Sequence, residues 1–415
     1  MLDIYKIRQN FPILSKEFNG NKLIYFDNAA TTQKPQQVVD AISQFYCNEN
    51  ANVGRSVYSL SMLANMTYER CRGSVQKFIN AKEPSEIVFT KGATESINLV
   101  AETFTKMSEF KGSEIIISEM EHHSNMCPWQ KICDDEKIKL RIAPVNDNGD
   151  IDYETYRKML NKNTMLVAVA HISNTIGTVN PLRKIIDEAH KYGIKVLVDG
   201  AQGIAHANVD VRELDCDFYC LSSHKMYGPM GVGVLYGKSD LLSKMPPYQQ
   251  GGGMVSYVSY PKVDKFKENP HKFEAGTPNV AGAIGLEAAI HYLESIGMDN
   301  IIKHEKELTC YALEKMNQID ELRIFGNPTE KSGIISFLIR DLHPYDIGNH
   351  LNCYGIAVRT GVHCAIPYVD KLGLIGTVRV SFGLYNTKEE VDHMCNVLKT
   401  VEAGEWTLHK GSLRW

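Results

Sequence analysis

The sequence predicts an α/β protein in which a large domain, built on a mostly parallel seven-stranded sheet, is joined to a smaller α+β C-terminal domain. Strand-like and helix-like segments alternate from about residue 20 to residue 240. Beyond residue 281 the pattern becomes helix-rich. A chain of 415 residues is also longer than one ordinary hydrophobic core supports. We therefore assign residues 19–280 to the large domain and residues 1–18 with 281–415 to the small domain.

Short runs rich in β-branched and other apolar residues predict the strands of the large domain. They lie at residues 23–26, 86–90, 114–118, 165–170, 195–199, 218–222 and 232–236. Amphipathic stretches of helical length, such as residues 181–192, separate several of them, which is typical of a parallel sheet covered by helices. The run that leads to Asp199 is almost wholly apolar, so we expect it at the centre of the sheet.

The later segments are less regular. Residues 251–253 and 262–272 mix Gly, Pro, Lys and Glu and predict a long functional loop or crossover. The patterns beyond it predict helices at residues 282–296, 301–318 and 388–401, and strands at residues 322–325, 332–339 and 377–382.

Composition and charge exclude several classes of function. The chain is 43% apolar and 23% charged, which is typical of soluble globular proteins, and no apolar run approaches the roughly 18 residues of a membrane span. A net charge of −4 argues against non-specific nucleic-acid binding. The N-terminal sequence lacks the features of a signal or transit peptide, so we expect a cytoplasmic protein without nucleic-acid or membrane partners.

The cysteines do not have the spacing of a metal site. The chain has ten cysteines but no Cys-x-x-Cys pair. Cys216 and Cys220 lie within an apolar stretch and are predicted to be core residues that behave as small hydrophobes. We expect no bound metal.

Two of the predicted strands are followed by residues suited to an anionic or aromatic ligand. Residues 91–96 place Gly and small residues between a strand and a helix, where backbone N–H groups and the Thr94 hydroxyl could face an anion; the alternative is an ordinary capped helix start. Asp199 ends a buried strand, where a carboxylate could keep a pyridinium nitrogen protonated; the alternative is a helix N-cap.

Two further strand ends carry a lysine and a histidine. Lys225 is flanked by two serines, a histidine and a Gly-Pro turn, which indicates a nearby phosphate and a desolvated amine of the Schiff-base kind. His122 follows the strand at residues 114–118, where its imidazole could stack on a planar cofactor. Adjacent histidines also invite a metal interpretation, but no known ligand spacing supports it.

Two residues near the C-terminus, an arginine and a cysteine, carry groups that suit a functional site. Arg379 lies in a β-branched run, and its guanidinium suits a carboxylate; the alternative is a structural salt bridge. Cys364 lies in a Gly- and Pro-punctuated loop beside Arg359 and His363, groups of the kind that lower a thiol pKa. The alternative is an incidental small apolar residue.

Taken in order, these segments resemble the class V aminotransferase family of fold type I pyridoxal-phosphate enzymes, and more narrowly the SufS/CsdA type of cysteine desulfurase. The resemblance extends from residue 7 to about residue 401 and includes residues 27–32, 89–95, 121–123, 198–202, 222–229, 273–279 and 359–365. It departs from the family pattern at Gly54, Ser56 and Tyr58, where the family usually has His, Gly and His around Arg55. It also departs at Val362, where the family usually has His.

The resemblance implies pyridoxal 5'-phosphate as the cofactor. Lys225 would bind it covalently, and Asp199 would pair with its pyridine nitrogen. Gln202 would contact the ring hydroxyl, with His122 on one face of the ring and Ala201 on the other.

The resemblance also implies the phosphate and substrate contacts. Thr94, Ser222 and His224 would hold the phosphate, and Thr277 would reach the phosphate of the partner subunit's cofactor, which implies a homodimer. Asn174, Arg359 and Arg379 would bind the substrate, with Arg379 on its α-carboxylate.

The implied activity converts L-cysteine to L-alanine. Cys364 would accept sulfur as a persulfide and pass it to an acceptor for iron–sulfur cluster or other sulfur-cofactor assembly, and His122 is the candidate proton carrier. The alternatives are a selenocysteine lyase, another C–S lyase or epimerase on the same scaffold, or a cofactor-binding pseudoenzyme. The implied acceptor is of the SufE or SufU kind. Desulfurases that use zinc-carrying SufU tend to have His-Pro-His-Asp where residues 343–346 read His-Pro-Tyr-Asp, which favours SufE.

Overall fold

A computed structural model of the protein describes residues 2–18, 20–54, 56–107 and 113–404. Arg55 and the outer limits of the predicted small domain, residues 1 and 405–415, lie outside the described residues. The α-helices are Ile4–Arg8, Gln36–Gln44, Ser59–Phe78, Ala93–Phe104, Cys127–Glu136, Tyr153–Met159, Leu182–His190, Gly203–His206, Val211–Leu214, Ser239–Lys244, Val280–Ile296, Met298–Met316, Pro344–Cys353, Ile366–Lys371 and Lys388–Glu402. Short 3-10 turns include His123–Asn125 and Ser223–Lys225.

Seven strands within the described ranges form the central sheet. Their order across it is Ile87–Thr90, Gly233–Gly237, Phe218–Ser222, Lys195–Asp199, Thr164–Ala170, Glu114–Ser118 and Lys139–Ala143. Gly233–Gly237 runs antiparallel to both of its neighbours, and the other pairings are parallel. Helices pack on both faces, so the strand before Asp199 is buried and central, as predicted. Because the strands are mostly parallel, their carboxyl ends lie along one edge of the sheet.

A second sheet carries Arg359 and Arg379. Its strands are Leu322–Phe325, Ile334–Ile339, Thr377–Ser381 and Arg359–Gly361 in that order, all antiparallel. The long helices Met298–Met316 and Lys388–Glu402 contribute to its separate apolar core, together with Pro344–Cys353. The helices and strands predicted beyond residue 281 are all present, with ends that differ by a few residues.

The predicted fold class is confirmed, but two of its details are wrong. Residues 23–26 do not join the central sheet: Ile24–Tyr25 pairs in parallel with Ile356–Ala357, and the seventh strand is Lys139–Ala143. That strand lies at the sheet edge and alternates Lys and Arg with apolar residues, so it lacks the apolar run by which the others were recognised. The region predicted as a loop or crossover contains a hairpin of Val255–Ser259 and Lys262–Phe266.

The division into residues 19–280 and residues 1–18 with 281–415 stays a prediction. Cys216 and Cys220 are fully buried, as predicted. Along the stretches that the structure describes, no helix is both long enough and apolar enough to cross a membrane.

Candidate active site

The predicted site residues, with one exception, line a single cavity of about 210 Å³ at the carboxyl edge of the central sheet. The second sheet closes its other side, because Arg359 and Arg379 lie on its strands and Cys364 lies in the loop that follows Arg359–Gly361. The predicted residues that line it are Thr94, His122, Asn174, Asp199, Ala201, Gln202, Ser222, His224, Lys225, Arg359, Cys364 and Arg379. Thr277 is the exception: it lines a separate cavity of about 420 Å³ with Lys91 and Glu95.

Asp199 and Lys225 form the electrostatic centre of the cavity. Asp199 is almost fully buried at the end of its strand, and its Oδ1 accepts the N–H of Ala201 at 3.0 Å. Burial raises the pKa of Asp199, while the Lys225 charge opposes that shift. Burial also lowers the pKa of Lys225 to about 8, with Asp199 opposing the change. The pair therefore holds a carboxylate beside an amine that loses its proton more easily than an ordinary lysine.

Two glycines allow the chain after Asp199 to pack closely against two buried rings. A Cβ on Gly200 would lie 2.0 Å from ring atoms of Tyr219, and a Cβ on Gly203 would lie 2.2 Å from Nδ1 of His171. His171 and Tyr219 are themselves joined by a hydrogen bond of 3.0 Å. Any side chain at either glycine would displace this buried pair, so the close approach requires glycine.

Hydroxyls gather where the helix Ala93–Phe104 begins at one end of the cavity. Gly92 provides no side-chain cap for this helix, and the N–H of Ala93 donates to Ser222 Oγ at 2.9 Å. Thr94 Oγ1 lies 2.7 Å from Ser124 Oγ. Uncapped N–H groups and hydroxyls at a helix start are the groups that bind phosphate.

His122 lies in the cavity as a neutral imidazole. Burial, followed by the charges of Lys225 and other nearby cations, lowers the pKa of His122 to about 3. Its Nδ1 accepts the N–H of Ser124 at 3.0 Å, so Nε2 carries the single ring proton at neutral pH. The turn that follows His122 is held by the preceding residue, Glu121. Its carboxylate accepts hydrogen bonds from Ala170 N at 3.1 Å and from Asn125 Nδ2 at 2.6 Å.

Arg379 presents unused donors to the cavity. Its Nη1 donates to the carbonyl of Asn174 at 2.8 Å and its Nη2 to Asp27 Oδ1 at 3.1 Å, while its buried Nε has no partner within the described residues. Burial lowers the pKa of Arg379 to about 10, against the effect of Asp27, and Arg359 lowers it further. Asp27 therefore does not fully compensate the buried charge of the guanidinium, and a bound carboxylate would stabilise that charge further.

One prediction about the loop that carries Cys364 is wrong. His363 was predicted to lower the thiol pKa of Cys364 as a neighbouring cation. Burial, with Arg379 and Arg359 nearby, instead lowers the pKa of His363 to about 2, so its ring is uncharged at neutral pH. Its Nε2 hydrogen bonds to Thr377 Oγ1 at 2.7 Å. His363 therefore holds the shape of the loop and contributes no charge.

Sequence reasoning did not identify a group of residues that supports the Lys225 turn. The carbonyl of His224 accepts from the N–H and hydroxyl of Thr32, at 3.0 and 3.1 Å, and from Lys34 Nζ at 2.9 Å. Thr31 Oγ1 adds a fourth donor at 3.1 Å. Burial lowers the pKa of Lys34 to about 7. Thr31 and Thr32 belong to the segment 27–32 that carries part of the family resemblance, and Lys34 lies two residues beyond it; this is the signal that could have identified them.

Comparison with known proteins identifies the family. The sequence profile of the family described as aminotransferase class-V matches residues 24–394. The chain belongs to this family. A cysteine desulfurase of Escherichia coli is 44% identical to it, over 97% of this chain and 98% of the other. A cysteine desulfurase of Synechococcus elongatus is 43% identical over 98% of this chain, which spans 65% of that protein's length. The crystal structure of the cysteine desulfurase CsdA from Escherichia coli has a TM-score of 0.89 at 37% identity and covers 97% of this chain and 99% of that one.

These similarities confirm the predicted place of this class-V chain among the SufS/CsdA-type cysteine desulfurases, whose cofactor is pyridoxal phosphate. The cavity residues fit that cofactor. Gln202 Oε1 and His224 Nδ1 are buried without a protein partner in the described part of the chain, which suits a ring hydroxyl and a phosphate oxygen respectively. Burial, followed by the Lys225 charge, lowers the pKa of His224 to about 4. Among the described residues no group of three or more His, Cys, Asp or Glu side chains is placed to hold a metal ion.

Proposed function

We propose that this chain removes sulfur from L-cysteine, leaving L-alanine, and holds the sulfur as a persulfide on Cys364. The observation that carries the proposal is that Cys364 lines the same cavity as Lys225 and Arg379. An electron-sink site, a free thiol and a carboxylate-binding guanidinium within about 210 Å³ are what the overall reaction needs. The sulfur would then pass to an acceptor protein of the SufE or SufU kind.

The residues act on a substrate held by its carboxylate. When bound, pyridoxal phosphate withdraws electrons from the substrate, which acidifies the Cα–H bond and weakens the Cβ–S bond. Arg379, with Asn174 and Arg359 beside it, receives the α-carboxylate. The carboxylate of Asp199 would stabilise the protonated pyridine nitrogen of the cofactor. Thr94, Ser222 and His224 line the part of the cavity that would hold its phosphate.

Lys225 would anchor the cofactor, and its amine is placed to take the Cα proton of the substrate. With a pKa of about 8, roughly one amine in five is neutral at pH 7.4, compared with about one in a thousand for an ordinary lysine. A neutral amine is the form that acts as nucleophile or base. His122 holds a proton at Nε2 and is placed to deliver it within the cavity.

The sulfur transfer needs no external oxidant or reductant. The Cys364 thiolate forms an S–S bond to the substrate sulfur as the Cβ–S bond breaks, and the electron pair of that bond stays with the carbon fragment. Protonation of that fragment gives alanine. The balance is L-cysteine plus enzyme thiol giving L-alanine plus enzyme persulfide.

We further propose that the working unit is a homodimer in which Thr277 reaches the phosphate of the partner subunit's cofactor. Its position outside the cavity that contains Lys225 supports this, because Thr277 faces a separate cavity together with Lys91 and Glu95.

Substitution of the thiol tests the proposal. Cys364→Ser is expected to bind cofactor and to show the absorbance change of the wild type with L-cysteine, then to release alanine several orders of magnitude more slowly, because a hydroxyl cannot carry the sulfur. Intact-mass analysis of the wild type after L-cysteine should show a reductant-labile sulfur on the peptide that contains Cys364. Cys127→Ser, at an exposed cysteine outside the cavity, is the control. Alanine release by Cys364→Ser at the wild-type rate, or sulfur on another peptide, would contradict a persulfide on Cys364.

A further inference from the structure

The two adjacent histidines face different parts of the site. The His122 ring lines the cavity, whereas His123 lies against the loop that carries Cys364. The backbone N–H of His123 donates to the carbonyl of Cys364 at 2.7 Å, and its Nε2 accepts the N–H of Ile366 at 3.2 Å. His123 therefore contacts the backbone at Cys364 and again two residues further along the chain.

The loop adopts a backbone conformation that needs such support. His363 and Cys364 have φ angles of 51° and 56°, in the left-handed region that residues other than glycine seldom adopt. Asn174 Nδ2 donates to the carbonyl of His363 at 2.6 Å, so the carbonyls of two consecutive residues, His363 and Cys364, are both hydrogen bonded. The helix Ile366–Lys371 has no side-chain cap from Ala365, and His123 Nε2 satisfies its first N–H instead.

The segment that carries His123 is itself anchored to the central sheet. Glu121 accepts from Ala170 N of the strand Thr164–Ala170, and Asn125 bridges Glu121 to Trp129, whose Nε1 donates to Asn125 Oδ1 at 3.0 Å. All these side chains are fully or almost fully buried. The segment between Glu121 and Asn125 therefore connects the sheet rigidly to the cysteine loop.

We propose that His123 is a positioning residue that sets the place of the Cys364 thiol relative to the cavity, so that sulfur transfer depends on it while deprotonation at Cα does not. This inference rests on the proposed function. In the affected step the Sγ–S bond forms and the Cβ–S bond breaks, with the electron pair remaining on the carbon fragment. Such a displacement requires the Cys364 sulfur to lie close to the substrate sulfur and in line with the breaking Cβ–S bond. A misplacement of about 1 Å reduces such rates on the order of a hundredfold.

The test compares cofactor-loaded His123→Ala and His123→Gln with the wild type and with His393→Ala, a control at an exposed histidine. Rapid mixing with L-cysteine measures the rate of the cofactor absorbance change, and quenched samples measure alanine and the sulfur on Cys364 in the first turnover. Each rate is normalised to cofactor-bound sites, so that only folded sites are counted.

In His123→Ala the absorbance change should keep its rate within about twofold, while alanine and sulfur transfer slow roughly ten- to a hundredfold. His123→Gln should recover most of the transfer rate, because its side-chain oxygen can accept the N–H of Ile366. Equal slowing of both steps, or transfer at the wild-type rate in His123→Ala, would overturn the positioning role alone. A wild type without sulfur on Cys364 would overturn the proposed function and this inference with it.

Discussion

Replacing Arg379 by glutamine should remove the recognition of the substrate carboxylate. Nη1 and Nη2 are each used once, by Asn174 and Asp27, so Nε–H and a second N–H on a neighbouring nitrogen remain for a two-point contact. Two hydrogen bonds to a charged group contribute about 1.5–3 kcal/mol each, hence about 3–6 kcal/mol together. At 1.36 kcal/mol for each factor of ten, kcat/KM for L-cysteine should fall on the order of 10²- to 10⁴-fold.

The methyl ester of L-cysteine provides the matched control for Arg379→Gln. The ester has no carboxylate, so the wild type and the variant should convert it with nearly equal kcat/KM. Both enzymes are assayed for alanine, or its ester, with a thiol reductant present, after cofactor content and thermal unfolding have been measured. The reasoning is wrong if the variant handles L-cysteine within about threefold of the wild type, or if it loses as much activity on the ester as on the acid. The second result would mean that Arg379 acts mainly through Asp27 and the fold.

Two further predictions concern the lysine turn. Borohydride reduction of the wild type should fix the cofactor to the peptide that contains Lys225, and Lys225→Ala should show no such adduct and no turnover. Lys331→Met is the control, because burial also lowers the pKa of Lys331 to about 8, and it should keep both the adduct and the turnover. An adduct on another lysine of the wild type would contradict this assignment. Thr32→Val leaves Tyr227 N–H without its acceptor and removes one donor to His224, so the free energy of unfolding should fall by about 1–3 kcal/mol and the cofactor should dissociate faster. Thr32→Ser should restore both properties, and an unchanged cofactor dissociation rate in Thr32→Val would show that this contact does not support the turn.

The part of the site on the central sheet could be predicted because the relevant signals are local. Asp199, Lys225 and His122 each follow an apolar run, and the carboxyl ends of parallel strands share one edge. The periodicity of the flanking segments was therefore enough to bring these three side chains together. Their partner residues on the second sheet are 130 or more positions away from them along the chain, and no periodicity indicates which edge of that sheet faces the cavity. Only the family resemblance placed Arg379 and Cys364 there.

The structural features that were missed share a different cause. The strand Lys139–Ala143 and the hairpin of Val255–Ser259 with Lys262–Phe266 are edge or exposed elements, so their side chains mix charged and apolar residues and lack the signature of a buried strand. The contacts of Lys34 were missed because they involve backbone carbonyls. A sequence does not show where a carbonyl from a distant turn will lie.

His363 shows why the electrostatics of the cysteine loop could not be read from its neighbours. A histidine next to a cysteine lowers the thiol pKa only if its ring is protonated, and burial near two guanidiniums prevents that. Burial is the main influence on Lys225 and Arg379 and lowers the pKa of both, but these two are also the cations that interact electrostatically with Cys364. Lys225 is also the residue that we propose anchors the cofactor, and Arg379 the one that we propose receives the substrate carboxylate. The cations that interact with Cys364 are thus the same groups that are proposed to hold its reaction partner.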